Sequence, residues 1–223
     1  MDEKETGRVE AFSDGVFAVA ITLLVLNIQP PPITNADAFR DGALRDSILA
    51  QWPVLLAFVT SFATVGIMWT NHHKVFSRVK YVDNNLLLLN LLLLLVVIFI
   101  PYPTALLAGQ YKNYPSGHDA AILYTGTNVA LSICFNLLWF YASHHSRLLR
   151  EDADPEDTRA ISQQYIFGPI VNTVIFILAW INVPISILLN LLLALFFALA
   201  GRSPQLSKVR KASSETVKAE DVV

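Results

Sequence analysis

The sequence predicts an all-α integral membrane protein with six transmembrane helices per subunit. Of its 223 residues, 54% are hydrophobic and only 15% charged, and several apolar runs approach the roughly 20 residues that cross a bilayer. Basic residues crowd alternate loops, as in a chain threaded back and forth across a membrane. The net charge of −2 averages over loops on opposite sides, and nothing in it points to nucleic acid. The single cysteine, Cys134, lies inside an apolar run, so no disulfide forms within the chain.

The first span is Arg8 through Ile28, RVEAFSDGVFAVAITLLVLNI. Its front carries acids as well as bases and its end lacks a small-residue cleavage site, so it reads as mature structure and not as a signal peptide. On a helix, Phe12, Val16, Val19, Leu23, Leu26 and Pro30 recur at alternating spacings of four and three and share one face. Such a seam faces another helix or a symmetry axis. Arg8 and Asp14 are too far around the helix to pair with each other, and Glu10 shares the face of Asp14 and repels it. Asp14 therefore needs a partner from elsewhere, either as a functional intramembrane acid or as a helix-start acid favoured by the macrodipole.

Pro30, Pro31 and Pro32 end the span. From Ile33 to Ala50 mixed charge and apolar residues suggest a short surface helix. The second span runs from Gln51 to His73 and closes on WTNHHKVF, with Trp69, Asn71, His72 and His73 together. The third, Asn84 to Leu107, is apolar all round and is expected mostly to face lipid or neighbouring helices, with Pro101 and Pro103 kinking its end. A turn-rich loop over 110–119 leads to the fourth span, Ala120 to Tyr141, and a charged loop broken by Pro155 leads to the fifth, Ser162 to Ile181. Pro184 begins the sixth, which runs to Ala200. Residues 1–200 form the membrane domain; the polar segment 201–223 lacks apolar periodicity and reads as a disordered cytoplasmic tail.

With the amino terminus inside, the inner segments hold Lys4, Arg8, Lys74, Arg78, Lys80, Arg147, Arg150, Arg159, Arg202, Lys208, Arg210, Lys211 and Lys218. The outer loops hold only Arg40, Arg45 and Lys112. Both termini are thus expected on the cytoplasmic side of a cell membrane, and the Arg8–Asp14 cluster meets WTNHH at that face.

Enzyme chemistry finds no support: Ser13 lacks a nucleophile elbow, and no Gly-rich phosphate loop, H-E-x-x-H or C-x-x-C pair exists. His72 and His73, like His144 and His145, are adjacent and point about 100° apart, so neither pair chelates a metal alone. No T-x-G-Y-G carbonyl filter is present. If ions cross, side chains choose them: in a symmetric oligomer, rings of Val19, Leu23 and Leu26 would form an apolar neck that conducts when widened. Plain helix packing is the competing use of that seam. Thr22, on its flank, either helps replace an ion's hydration or bonds back to the carbonyl four residues earlier.

These residues resemble a known family. Arg8, Phe12, Ser13 and Asp14 reproduce the R-x-x-x-F-S-D motif of the transmembrane protein 175 family, whose animal members are endosomal and lysosomal potassium and proton channels. The resemblance continues through GVFAVAITLLVL, WTNHHKVF and NLLLLLVVIFIPYPTALL, and the single six-helix copy is similar to bacterial members. It implies a potassium-selective homotetramer in which first helices line the pore, without cofactors. The family's gate falls on Val19, Leu23 and Leu26, its selectivity threonine on Thr22. Valine at 19 is shorter than the family's isoleucine or leucine, so the tightest ring is Val19, Leu23 or Leu26. The family's polar network would set Arg8, Ser13 and Asp14 against Trp69, Asn71 and either His72 or His73. Replacing Asp14 with Ala is then expected to strip Arg8 or a histidine of a buried partner. The alternatives are a proton-conducting channel, a secondary transporter relaying through Asp14 and His72, and a non-conducting membrane scaffold.

Overall fold

In the computed structural model, residues 3–29, 41–110, 115–144, 148–150 and 155–200 are described. The first helix, α1, spans Glu3–Leu23 and tightens into a 3-10 turn over Leu24–Asn27. It thus begins ahead of Arg8, and its ladder ends where Ile28 N–H reaches back only to Val25 O, at 3.0 Å. The three prolines expected to stop it lie outside the described residues. Gly42, at φ 81°, provides the left-handed entry to α2, Ala43–Ala50, a position where a side chain would be strained. That is the described part of the expected surface helix, since 30–40 also fall outside.

Helix α3 covers Trp52–Phe76. The next span is broken: α4, Asn84–Phe99, and α5, Pro101–Gln110, meet at Ile100. Proline at 101 and 103 removes two backbone donors there. Asn27 ties the first span to the break, its amide donating to Pro101 O at 3.0 Å. Helix α6 spans Ser116–His144, α7 spans Pro155–Ala179 and α8 spans Val183–Ala200. Pro155 therefore opens a helix instead of merely breaking a loop, as suits its missing N–H. The expected tail, the loop tip 111–114 and His145 lie outside the described residues.

Five stretches are long and apolar enough to cross a bilayer: Thr6–Asn27, Trp52–Phe76, Asn84–Gln110, Ser116–His144 and Ile161–Ala179, with Val183–Phe197 a shorter apolar helix. The fold is an all-α membrane bundle. Phe17 and Leu24 of α1, Phe76 of α3, Leu86, Leu93 and Val97 of α4, and Leu131, Phe135 and Leu138 of α6 share one buried cluster. The leucine-rich α4 is accordingly a core helix along one edge, with Leu88, Leu91, Leu92 and Leu95 left outward.

At the Arg8 end the connections are tied down. Val79 and Leu149 form an antiparallel bridge, flanked by Lys80 N–H to Leu148 O at 2.8 Å and Arg150 N–H to Arg78 O at 2.9 Å. Thr6 hydroxyl donates to Lys80 O at 3.1 Å, joining the start of α1 to the same knot. One end of the bundle is thus cross-braced through backbone bonds, which hold α1 at a set depth.

Candidate functional site

Two polar clasps fix α1 to α3. Trp69 Nε1–H donates to Asp14 Oδ1 at 2.8 Å, and His73 Nδ1–H lies 2.6 Å from Glu10 Oε1. Both pairs are one turn apart on each helix, 10 with 14 and 69 with 73, and the antiparallel course matches 10 to 73 and 14 to 69. The repulsion expected between Glu10 and Asp14 is therefore answered by giving each acid its own donor.

A third connection runs through α4. Ser13, fully buried, donates to Val9 O at 2.8 Å and accepts from Asn90 Nδ2–H at 2.9 Å. Asn90 Oδ1 then accepts from His72 Nε2–H at 2.8 Å. Because the Asn90 amide nitrogen is spent on Ser13, its oxygen is what faces His72, and the imidazole proton belongs on Nε2. The ring lies 4.4 Å from Phe76 and 5.4 Å from Phe17, between centroids. Its Nδ1 is buried with no partner among the described residues.

The predicted network is thus only partly assembled. Ser13, Asp14, Trp69 and His72 are engaged, but Asp14 and His72 do not share a bond: Asp14 goes to Trp69, His72 to Asn90. Arg8 is exposed and pairs with none of the described residues; with Phe12 it borders an open groove of about 770 Å³ against Val82, Asn84 and Leu91. Asn71 points away, lining a cavity on the other side of α3. Asn90 and the Glu10–His73 pair went unread in the sequence. For Asn90 a signal existed, a lone amide within an unbroken leucine run, which a bilayer obliges to find a partner.

The rest of α1 is sorted by side. Ser13, Phe17, Ala20 and Leu24 are buried in the chain's own core, while Phe12, Val19, Leu23 and Leu26 face outward. Exposure is 48% at Val19 and 68% at Leu26 but only 36% at Leu23. At about 100° per residue, Arg8, Gly15, Val19, Thr22 and Leu26 fall within roughly 60° of arc. Val19 and Leu26 therefore occupy the middle of the outward face and Leu23 its margin. Small residues Ala11 and Ala18 fill the other flank and Gly15 lies on the arc itself, all exposed. The Thr22 hydroxyl sends its hydrogen back to the carbonyls of Ala18 and Val19, each at 2.9 Å, which leaves oxygen lone pairs outward.

Among the described residues no three His, Cys, Asp or Glu side chains converge on a metal-sized position.

Comparison with known proteins places these features in context. The family model described as endosomal/lysosomal potassium channel TMEM175 matches residues 8–101. A potassium channel of Chamaesiphon minutus is 46% identical over 202 residues, covering 91% of this chain and 98% of that protein. A potassium channel of Streptomyces collinus is 42% identical over 193 residues, covering 86% and 91%. The crystal structure of a lysosomal potassium-selective channel TMEM175 homolog from Chamaesiphon minutus superposes with a TM-score of 0.78 at 44% identity, over 90% of this chain and 100% of that one.

Proposed function

The chain belongs to the TMEM175 family, and from that premise we infer that it is a potassium channel, a passive conductor and not an enzyme. Four copies surround an axis with α1 innermost. The α8 helix is the sixth span, both termini lie on the cytoplasmic side of a cell membrane, and the carboxy-terminal segment 201–223 is a tail outside the bilayer.

The observation that carries the pore assignment is the sorting of α1, which commits Phe17, Ala20 and Leu24 to the chain's core and turns Val19 and Leu26 away from it. Lipid would also accept those two. It would accept Arg8 poorly, since a guanidinium facing hydrocarbon is expensive, and Gly15 and Ala18 offer lipid little packing. Small residues instead let neighbouring helices approach closely. A shared axis accommodates the whole arc: small residues against the next subunit, larger aliphatics toward the centre, Arg8 at a wet mouth.

Rings of Val19 and Leu26 then form the neck, flanked by Leu23, and such a constriction gates by expelling water when narrow. Thr22 lies between the two rings on the same arc. With its hydrogen held by the helix, it offers an ion only an oxygen, which is what a cation shedding water requires. Ser13, Asp14, Trp69 and His72 set the rotation of α1 through the clasps and Asn90, and Arg8, Phe12 and Asn71 act elsewhere than in that network.

Reversal potentials of the purified protein in planar bilayers, with potassium on one side and sodium on the other, test this reading. The unaltered chain should reverse toward the potassium equilibrium potential. Val19→Ala and Leu26→Ala should raise conductance and move reversal toward zero, Leu23→Ala less so. An absence of potassium current, or alanine variants identical to the parent, would overturn it.

A further inference from the structure

The outward residues of the first span do not all stand on one support. Val19 belongs to the α-helical part, which the clasps to α3 and the Ser13–Asn90 bond hold from the Arg8 end. Leu26 lies beyond that helix, in the 3-10 turn Leu24–Asn27. Such a turn winds at about three residues per turn where an α-helix has about 3.6, so each residue that changes winding swings the side chains after it by about 20° around the axis. Where Leu26 points therefore depends on what holds this turn.

Leu24 is fully buried in the core, but Val25 and Leu26 are each more than half exposed. The polar hold is Asn27, half-buried, whose amide donates to Pro101 O at 3.0 Å. Beyond it Ile28 N–H reaches only Val25 O, and the next tie is an exposed one, Gln51 Nε2–H to Gln29 O at 2.9 Å. The post to which Asn27 is fastened is itself fixed. Pro101 opens α5, and Thr104 of the same turn donates to Ile100 O at 2.8 Å and shares a hydrogen bond of 2.9 Å with Ser61 Oγ, which lies 3.2 Å from Tyr124 Oη. All three hydroxyl-bearing residues are buried, so they bind the start of α5 to α3 and α6 away from water.

We propose that Asn27 is a positioning residue for the conducting neck: by pinning the 3-10 turn to Pro101 it sets the aim of the Leu26 ring, separately from the clasps that aim Val19. The proposal rests on the reading of α1 as the pore-lining helix. Asn27 acts through Leu26 and not on the ion. Without its amide the turn is free to change winding, Leu26 swings off the centre line, and the outer ring loosens while the Val19 ring stays in place.

Reversal potentials and single-channel conductance of the full chain in planar bilayers, potassium against sodium, test it, with the unfolding midpoint measured in parallel. Asn27→Ala should raise conductance and move reversal toward zero, as Leu26→Ala does. Asn27→Ser, whose hydroxyl falls short of Pro101 O, should behave alike, and Asn27→Gln, which keeps the amide donor, should stay close to the parent. In a Leu26→Ala background Asn27→Ala should add nothing, whereas with Val19→Ala its full shift should appear, since only coupled sites depart from additivity. A merely structural Asn27 would lower the midpoint and the number of channels while leaving reversal unchanged, and that result would overturn the proposal. A shift that persists in full with Leu26→Ala would overturn it too. If Leu26→Ala itself matches the parent, the pore reading falls and this inference with it; a shift in Leu26→Ala with none in Asn27→Ala removes this inference alone.

Discussion

At the scale of single residues, the strength of a polar contact follows its burial more than its charge. Asn90 is the hub that sequence reasoning missed, and it joins Ser13 to His72 with both partners fully enclosed. Replacing it with Leu leaves His72 without an acceptor for Nε2–H and with both ring nitrogens buried and unpaired. The expected cost is about 1–3 kcal/mol, read as a lower thermal unfolding midpoint of the detergent-solubilised protein. Asp14 behaves differently from its sequence expectation. Its partner is the indole of Trp69, itself half outside the fold, and neither Arg8 nor a histidine depends on it. Asp14→Ala and Trp69→Phe should each cost only about 0.6 kcal/mol, the average for such bonds in membrane proteins, and the double variant little more than either. The same midpoint measurement checks this, and a loss for Asp14→Ala larger than for Asn90→Leu would reverse the ranking. The motif residues were legible because acids and histidines at a membrane edge stand out. Their pairing was not, because adjacent residues such as His72 and His73 point to different neighbours and only the packed helices decide which.

At the scale of elements, α1 shows what a hydrophobic pattern does and does not reveal. The spacing of Phe12, Val16, Val19, Leu23 and Leu26 identified a shared side; the structure turns Phe12, Val19, Leu23 and Leu26 outward but packs Val16 partly buried against the core. The pattern could not show that Ala11, Gly15 and Ala18 extend the same face, since small residues carry little weight in a search for apolar stripes. They supply a separate prediction. Gly15 has nothing of its own chain within 4 Å of where a Cβ would stand, so a larger side chain costs the isolated fold nothing. Gly15→Leu should leave the subunit folded, judged by far-UV helicity and unfolding midpoint, yet shift it from tetramer to smaller species in light scattering. A tetramer that survives this change would mean that the small-residue flank faces lipid or lumen. The ends of helices were less legible: α1 starts earlier than its first motif residue, and the third span splits at Ile100, where Pro101 and Pro103 lack backbone donors.

At the scale of the molecule, the positions of the five long apolar spans followed from composition, since hydropathy is an additive property of long segments, while the expected sixth is a shorter apolar helix. The contacts that organise the bundle came from sparse amides and hydroxyls whose partners lie far away in sequence, such as Asn128 with Asn190 or Ser61 with Thr104. One end of the bundle, where Thr6, Lys80 and the Val79–Leu149 bridge meet, anchors α1, and the clasps to Trp69 and His73 hold its rotation. The proposed function has the outward arc beyond those clasps assemble with its symmetry mates and form the conducting surface. The most direct measurement of that claim is block of potassium current by a water-soluble cationic thiol reagent, applied to single cysteines on α1 in a Cys134→Ser background. Val19→Cys, Thr22→Cys and Leu26→Cys should be blocked, whereas Ala20→Cys, on the core side, should conduct unchanged. Insensitivity at 19, 22 and 26, with block arising only from cysteines on another helix, would contradict the account.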